Sequence, residues 1–292
     1  MIADILVSGV PLGGLYALVA VGYNILYRPT NVFNFAQGDL VMLGALLISS
    51  FLTSQHYAWP LAMIAVMAIV GAIALAEEVV AAAPILRRAS DGVAWVITTL
   101  AVSLIIVNIV GKYWGVDPVF VAAPWPLSAD PQTIAGVQVS SYQIALVLIT
   151  LAIVAIVEAT YRTRTGRAIL AVAENRDAAL LRGINPAALS RWSFFVGGAL
   201  AAATGYLAAP LIPMSPSLGV AFLVKGFAAA ALGGLGSNKG ALIAGVIIGV
   251  TEATGSDFIS AGYQQTVILA VVLAILLVRP QGLFGNASAR TV

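Results

Sequence analysis

Residues 141–160 read SYQIALVLITLAIVAIVEAT, a run in which Glu158 is the one charged side chain. A helix rises about 1.5 Å per residue, so about 20 apolar residues cross the roughly 30 Å of hydrocarbon in a bilayer. Blocks of this kind recur along the 292 residues of the chain, of which 61% are hydrophobic and 9% charged. Such a composition leaves too few polar residues to cover a water-soluble domain of that size. The sequence therefore predicts an all-α fold, a polytopic transmembrane helix bundle.

The apolar blocks mark the expected membrane helices. They lie at about 5–27, 33–53, 60–83, 93–114, 141–160, 188–212, 218–233, 240–256 and 263–279. The second and seventh blocks are interrupted or flanked by glycine and polar residues, so either is expected to be short or re-entrant, and the chain is expected to have eight or nine spans. Because no long polar segment separates the blocks, residues 1–292 are expected to form a single transmembrane domain.

The arginines fall in turns that a nine-span arrangement places on one side of the membrane. They are Arg28 after the first span, Arg87 and Arg88 after the third, and Arg279 and Arg290 after the last. Six more lie between the fifth span and the start of the sixth: Arg162, Arg164, Arg167, Arg176, Arg182 and Arg191. The loop at 115–140 has Asp117 and Asp130 but neither lysine nor arginine. Since basic residues stay on the cytoplasmic side, nine spans predict an outside N-terminus and a cytoplasmic C-terminus.

The residue types that are missing exclude several classes of site. The chain has no cysteine and one histidine, His56, which lies in a predicted loop, so disulfides, thiolate metal sites and cysteine or serine–histidine chemistry inside the spans are excluded. The closest approach to a Walker loop, GGLGSNKG at Gly233–Gly240, lacks the second glycine at the required position and the hydroxyl after the lysine. We expect no catalytic residue, no metal, no cofactor bound by this chain and no nucleic-acid partner.

Small residues recur at four-residue spacing in several spans. Such stripes let two helix backbones approach closely, and close approach drives helix association in lipid, where hydrophobicity cannot. We expect Gly197 and Gly205 in the sixth span, and Gly245 and Gly249 in the eighth, to pack helices rather than to contact a ligand.

Five residues in the spans are candidates for a translocation path. Asn34, Gln37, Gly38 and Asp39 stand at the start of the second span. Either they cap that helix, or they form a broken helix whose exposed end faces a polar substrate. Lys225, in the seventh span, either extends its amine to the membrane surface or pairs with a carboxylate along the path.

Three glutamates in the spans have simpler expected roles. Glu77 and Glu78 lie near Arg87 and Arg88, so local pairing is expected there. Glu252 follows a glycine stripe and is expected to reach a membrane interface.

The loop at about 161–190 contains a predicted short helix with a residue that favours helix initiation at one end and a residue that favours termination at the other. Asn175 is a good N-cap and Gly183 a natural residue just past the C-terminus, while Asp177 and Arg182 suit the charges of the two helix ends. Such a helix on a basic face is either a docking element for a soluble partner or an ordinary surface helix.

Several motifs now carry a family resemblance. They are GLYALVAVG at 14–22, NFAQGD at 34–39, the segment from Ala173 to Asn185, LGGLGS at 232–237 and RPQGLFG at 279–285. Because these motifs occur in this order in a chain with this hydropathy pattern, the chain resembles the integral-membrane permease subunits (H-type) of bacterial ABC importers of the branched-chain amino acid type. The family usually has His and Glu at the positions of Gln37 and Asp39, and the two substitutions keep polarity and hydrogen bonding.

The resemblance implies a coupling role for the cytoplasmic loop. ABC permeases carry a Glu-Ala-Ala signature with a glycine four residues on, and Asp177-Ala178-Ala179 with Gly183 fits it with Asp for Glu. The implied ATPase-coupling residues are Glu174, Asn175, Arg176, Asp177, Ala178, Ala179, Arg182 and Gly183. The Ile-x-Leu-Pro that often completes the signature is absent. The short helix would seat in a groove of a cytoplasmic ATPase.

The resemblance also implies the assembly. A non-catalytic permease of the bacterial inner membrane would pair with a second permease subunit, related or identical, and with two cytoplasmic ATPases that bind ATP and Mg. An extracytoplasmic substrate-binding protein would deliver a branched-chain or other hydrophobic amino acid.

Other functions stay open from the residues alone. The same machinery for urea or short amides is an alternative cargo. A secondary transporter or channel is an alternative of another class, but those proteins usually place ionisable or broken-helix ion sites near mid-membrane, and they give the capped cytoplasmic helix no purpose.

Overall fold

A computed structural model describes residues 2–53, 58–84, 94–124, 126–134, 137–258 and 264–285. Within these ranges the chain forms eleven α-helices and one pair of short strands. The helices are α1 Ile2–Thr30, α2 Gln37–Thr53, α3 Trp59–Glu77, α4 Ala94–Trp114, α5 Ser141–Thr160, α6 Arg164–Glu174, α7 Arg176–Leu181, α8 Pro186–Ala208, α9 Leu218–Gly233, α10 Asn238–Phe258 and α11 Gln264–Val278. A π-helical turn, Glu78–Ala82, continues α3. The strands β1 Gln132–Ile134 and β2 Val137–Val139 pair antiparallel, with Gln132 opposite Val139.

The predicted all-α bundle is confirmed, and each of the nine apolar blocks contains a helix. Among the described residues, four helical segments are long and apolar enough to cross a membrane by length and composition: Ala3–Thr30, Trp59–Ala82, Ala94–Trp114 and Ser141–Thr160. The segments Gln37–Leu52, Leu218–Gly233 and Gln265–Val278 are apolar but shorter. The first two are the blocks whose composition predicted short helices.

The second helix starts later than predicted. It was expected from 33, but the segment between α1 and α2 is not helical. Asn31 has a positive φ of 57°, and the side-chain oxygen of Asn34 accepts a hydrogen bond from the backbone N–H of Ala36 at 2.7 Å. Such a local bond offers the backbone an alternative to the helix, so α2 begins only at Gln37.

The sixth predicted span is displaced toward the N-terminus. Asn185 caps α8 with hydrogen bonds from the backbone N–H groups of Ala187 and Ala188, and Pro186 occupies its first position. The helix ends at Ala208 rather than near 212, because Pro210 has no N–H with which to continue it.

The helix α1 lies at the centre of the bundle and is surrounded by α5, α8, α9 and α10. In the most apolar stretch of α1, 72% of the residues are buried, whereas in the most apolar stretches of α4 and α5 the buried share is 17%. The outer helices expose large apolar side chains, among them Ile64, Leu104, Leu148 and Leu273. Exposed apolar surface of this extent suits contact with lipid.

The two ends of the bundle differ in charge. The arginine-rich end carries Arg28 of α1, the helices α6 and α7, and the turn at 234–237. A cavity of about 670 Å³ at this end is lined by residues of all these elements and by Phe284. At the other end are β1, β2 and a backbone pairing between Val119 and Met214, with both N···O distances 2.8 Å.

Candidate coupling surface and translocation path

The helix α7 has a capping residue at each end, at the positions that the sequence predicted. The side-chain oxygen of Asn175 accepts a hydrogen bond from the backbone N–H of Ala178 at 2.9 Å. Gly183 has a φ of 79°, and its N–H donates to the carbonyl of Leu180 at 2.9 Å. A left-handed residue just past a helix end strongly favours glycine. The cap residues therefore fix both limits of this six-residue helix.

Most of the candidate coupling residues face away from the protein. Seven are exposed: Glu174, Asn175, Arg176, Asp177, Ala178, Arg182 and Gly183. Ala179 is buried and holds α7 against the rest of the chain. Leu181, which the sequence analysis did not single out, is 91% exposed. The adjacent Leu180 is 52% exposed, so α7 presents a pair of neighbouring apolar side chains that a partner can cover.

A polar network supports the wall of the large cavity behind α7. The Arg28 Nε donates to the carbonyl oxygen of Gly236 at 2.8 Å, and the guanidinium lies 3.8 Å from the ring centre of Tyr161. The N–H of Gly236 donates to Asn24 Oδ1 at 2.8 Å. Burial raises the pKa of Tyr161, and the nearby Arg28 charge opposes this rise. The network joins α1 to the α9–α10 turn and to the end of α5.

The helix α2 begins inside the bundle rather than at its surface. Asn34 and Gln37 are fully buried, and Asp39 is nearly so. Asn34 Nδ2 donates to Glu77 Oε2 at 2.8 Å, and Gln37 Nε2 donates to the carbonyl of Gly197 at 3.1 Å. Asn34 thus forms a local turn and also holds a distant carboxylate, and the segment before α2 has the form of a broken membrane helix.

Several buried polar atoms near this start have no hydrogen-bond partner among the described residues. They are Asp39 Oδ1, Gln37 Oε1, Glu77 Oε1 and the Tyr23 hydroxyl. A buried polar group without a partner costs about 1–3 kcal/mol. Groups of this kind suit a polar lining that exchanges partners with water or a polar solute.

Gly38 brings α2 into direct contact with α9. A Cβ at this position would come 2.6 Å from the backbone nitrogen of Leu223, so only glycine permits this spacing. Asp39 lies beside Gly219 on the same face of α9. Four of the five candidate path residues are therefore gathered at one helix start.

Lys225 lies on another face of α9 and has different partners. Its Nζ is 2.5 Å from Glu252 Oε1 of α10 and donates to the Tyr16 hydroxyl of α1 at 3.1 Å. The Tyr16 hydroxyl donates to Glu252 Oε2 at 2.7 Å. Of the two alternatives for Lys225, the structure shows pairing with a carboxylate, and it corrects the expectation that Glu252 only reaches an interface.

Glu77 and Glu78 have partners far away in sequence. Asn34 binds Glu77, as described above, while the Ser190 hydroxyl donates to Glu78 Oε1 at 2.8 Å and Arg191 Nε lies 3.8 Å from Glu78 Oε2. Arg87 and Arg88, the predicted local partners, lie outside the described residues, as do His56 and Arg290.

Glycines form close helix contacts at several points. A Cβ at Gly245 would lie 2.6 Å from the carbonyl oxygen of Gly13, and one at Gly249 would lie 2.5 Å from the Cα of Gly13. A Cβ at Gly205 would lie 2.8 Å from the backbone nitrogen of Ala45. Gly197 differs, because its nearest neighbour is the flexible side chain of Leu26 at 3.0 Å.

Sequence reasoning missed Tyr16 and gave Glu252 no partner. The available signal was an isolated lysine and an isolated glutamate in two apolar helices, because lone intramembrane charges of opposite sign tend to pair.

Among the described residues, no group of three or more His, Cys, Asp or Glu is placed to hold a metal ion.

Comparisons with known proteins agree with this architecture. A family model described as the permease component of branched-chain amino acid transport systems matches residues 5–276. The high-affinity branched-chain amino acid transport system permease protein LivH of Escherichia coli K12 is 31% identical, over 98% of this chain and 96% of its own length.

Other organisms have similar proteins. The corresponding permease BraD of Pseudomonas aeruginosa is 31% identical over 98% of this chain and 97% of its own length. A probable LivH permease of Methanocaldococcus jannaschii is 29% identical over 96% and 92%. No solved structure matches the chain significantly. The chain therefore belongs to the family of permease components of branched-chain amino acid transport systems.

Proposed function

We propose that this membrane permease carries branched-chain or other hydrophobic amino acids inward as one half of an ATP-driven importer. It binds no nucleotide itself; two cytoplasmic ATPases bind ATP and Mg, and a second permease subunit completes the path. An extracytoplasmic binding protein delivers the amino acid. The names of the related permeases support the cargo.

The observation that carries the proposal is the outward face of α7. Leu181 is 91% exposed on a helix that is capped at both ends, at the arginine-rich end of the bundle. Burying a leucine side chain contributes about 1.5–3 kcal/mol. An ATPase groove that covers Leu181 gains this free energy, and the charges of Arg176 and Asp177 set the orientation of the contact.

The contacts of α8 provide a route from α7 to the path. A short turn joins α7 to α8. From α8, the carbonyl of Gly197 binds the Gln37 side chain, and Gly205 touches the backbone of α2. A push on α7 is therefore transmitted along α8 to the helix start that holds Asn34, Gln37, Gly38 and Asp39. Together with Lys225, these residues line the path.

The proposal fixes the orientation. The arginine-rich end is cytoplasmic, as the distribution of basic residues requires. Nine crossings then place the N-terminus outside and the C-terminus in the cytoplasm, so that α7 meets the ATPases and the Val119–Met214 pairing faces the binding protein.

Cross-linking tests the coupling contact directly. The chain has no native cysteine, so Leu181→Cys creates a single thiol. In the complex assembled with its ATPases, a short bifunctional reagent should join this thiol to an ATPase cysteine, and nucleotide should change the yield. Leu273→Cys on α11, 60% exposed on the outer surface, is the matched control and should give no such product.

Transport is the second readout. Vesicles that contain the whole complex and binding protein should accumulate leucine only with internal ATP. Uptake of urea in place of leucine would refute the proposed amino-acid cargo. Cross-linking from position 273 but not from position 181 would refute the proposed coupling surface.

A further inference from the structure

A cavity of about 210 Å³ lies beside the Lys225–Glu252 pair. Its apolar wall is formed by side chains from α1, from the segment after α8 and from α9, and these are Leu12, Leu211, Ile212, Leu218 and Phe222. Tyr16, Lys225 and Glu252 line the same cavity. One small space thus has a charged part and an aliphatic part.

The charged part presents both signs within hydrogen-bond distance. The side chains of Lys225 and Glu252 are 14% and 10% exposed. Two of the three N–H donors of Lys225 are used, one by Glu252 and one by Tyr16, and no other acceptor for the third is found among the described residues. An ammonium group has three donors, so Lys225 has capacity for one further acceptor.

Packing alone does not account for this ion pair. Desolvating two charges costs several kcal/mol per ion, and well-packed apolar residues of similar volume often stabilise a buried site as well or better. Charged residues inside membrane spans usually mark substrate or ion pathways.

We propose that Lys225, Glu252 and Tyr16 form a transient binding site for a zwitterionic α-amino acid with an aliphatic side chain. This inference rests on the proposed import of amino acids and adds the site inside the permease. The substrate carboxylate binds Lys225, its ammonium group binds Glu252, and its side chain lies among the apolar residues. Tyr16 keeps a hydrogen bond to Glu252 while the internal pair opens.

Charge balance favours a zwitterion at this site. The Lys225–Glu252 pair is neutral overall, and so is the zwitterion. Lys225 exchanges the carboxylate of Glu252 for that of the substrate, and Glu252 exchanges the ammonium group of Lys225 for that of the substrate. No net charge therefore enters the membrane. Urea and simple amides are also neutral, but they have no separated charges to replace those of the pair.

The size of the cavity limits the cargo. Drug-sized ligands occupy pockets of about 300–1,000 Å³, so about 210 Å³ suits a molecule as small as valine or leucine. Ala221 also lines the cavity, and its substitution by a larger residue would narrow the apolar part without changing the ion pair.

The first test removes both charges together. Lys225→Met with Glu252→Leu leaves no unpaired charge, so assembly with the ATPases should persist. In vesicles with binding protein and internal ATP, leucine uptake should fall at least about tenfold, equivalent to about 1.4 kcal/mol. Thr150→Val is the control, because Thr150 on α5 faces Gly14 of α1 and is not among the residues that line the cavity; it should leave uptake unchanged.

The second test does not depend on the stability of the charge-free variant. Ala221→Leu should lower the ratio of leucine to valine uptake at least about tenfold, since one methylene in an apolar pocket changes discrimination by about 10–200-fold. The same binding protein delivers both amino acids to wild type and variant, so a changed ratio arises in the permease.

The outcomes separate the two proposals. If the wild-type complex accumulates no aliphatic amino acid, the proposed function fails. If the wild-type complex accumulates leucine but the charge-free variant does so equally well, or Ala221→Leu leaves the ratio unchanged, the amino-acid site alone is overturned.

Discussion

Replacing Gly245 by alanine should destabilise the bundle through a single helix contact. The added Cβ would lie 2.6 Å from the Gly13 carbonyl oxygen and 2.7 Å from the Ala17 nitrogen, whereas ordinary contact begins at 3.4 Å. Both neighbours are backbone atoms, so α1 and α10 must separate by about 0.8 Å locally. Overpacking of this kind typically costs about 1–3 kcal/mol.

Thermal unfolding in detergent measures this cost. For a domain of this order of size, each kcal/mol lowers Tm by about 2–4 °C, so Gly245→Ala should lower Tm by roughly 2–12 °C. Gly111→Ala on α4 is the matched control, because a Cβ there meets nothing within 4 Å. Helix propensity favours alanine over glycine by about 1 kcal/mol, so the control should keep or raise Tm. Equal Tm values for the two variants would refute the packing argument.

Three further predictions concern α7 and the start of α2. Reversing both charges with Arg176→Glu and Asp177→Arg should weaken ATPase co-purification while membrane insertion persists; wild-type association and coupling would contradict the docking surface. Gly183→Val should weaken the same association, because its φ of 79° costs other residues about 1–2 kcal/mol, and faster hydrogen exchange in α7 should accompany the loss. Asn34→Ala should lower Tm more in the wild-type background than in Glu77→Gln, since it leaves a buried carboxylate without its donor; equal losses in the double-mutant cycle would show that the two side chains do not interact.

The helices were predictable because each depends on a local pattern. The run at 141–160 specifies α5 by composition alone, and the side chain of Asn175 and the missing side chain of Gly183 specify the limits of α7. The late start of α2 depended on Asn34 forming a turn with Ala36, which competes with a hydrophobic pattern that would permit helix.

The contacts of the site were less predictable because they join distant parts of the chain. Glu77 binds Asn34 rather than a neighbour in its own turn, and the partner of Lys225 is on the next helix. Tyr16 looks like an ordinary apolar position in sequence. Leu181 is informative only once the structure shows that no described part of the chain covers it.

Uptake by reconstituted vesicles tests the central claim most directly, namely that this chain is a passive path driven through α7 by separate ATPases. Vesicles that contain the permease pair without ATPases should show no uphill accumulation of leucine, and adding the ATPases, binding protein and internal ATP should produce it. Uphill accumulation without the ATPases, or full ATP-driven uptake by a Leu181→Asp variant, would contradict the account.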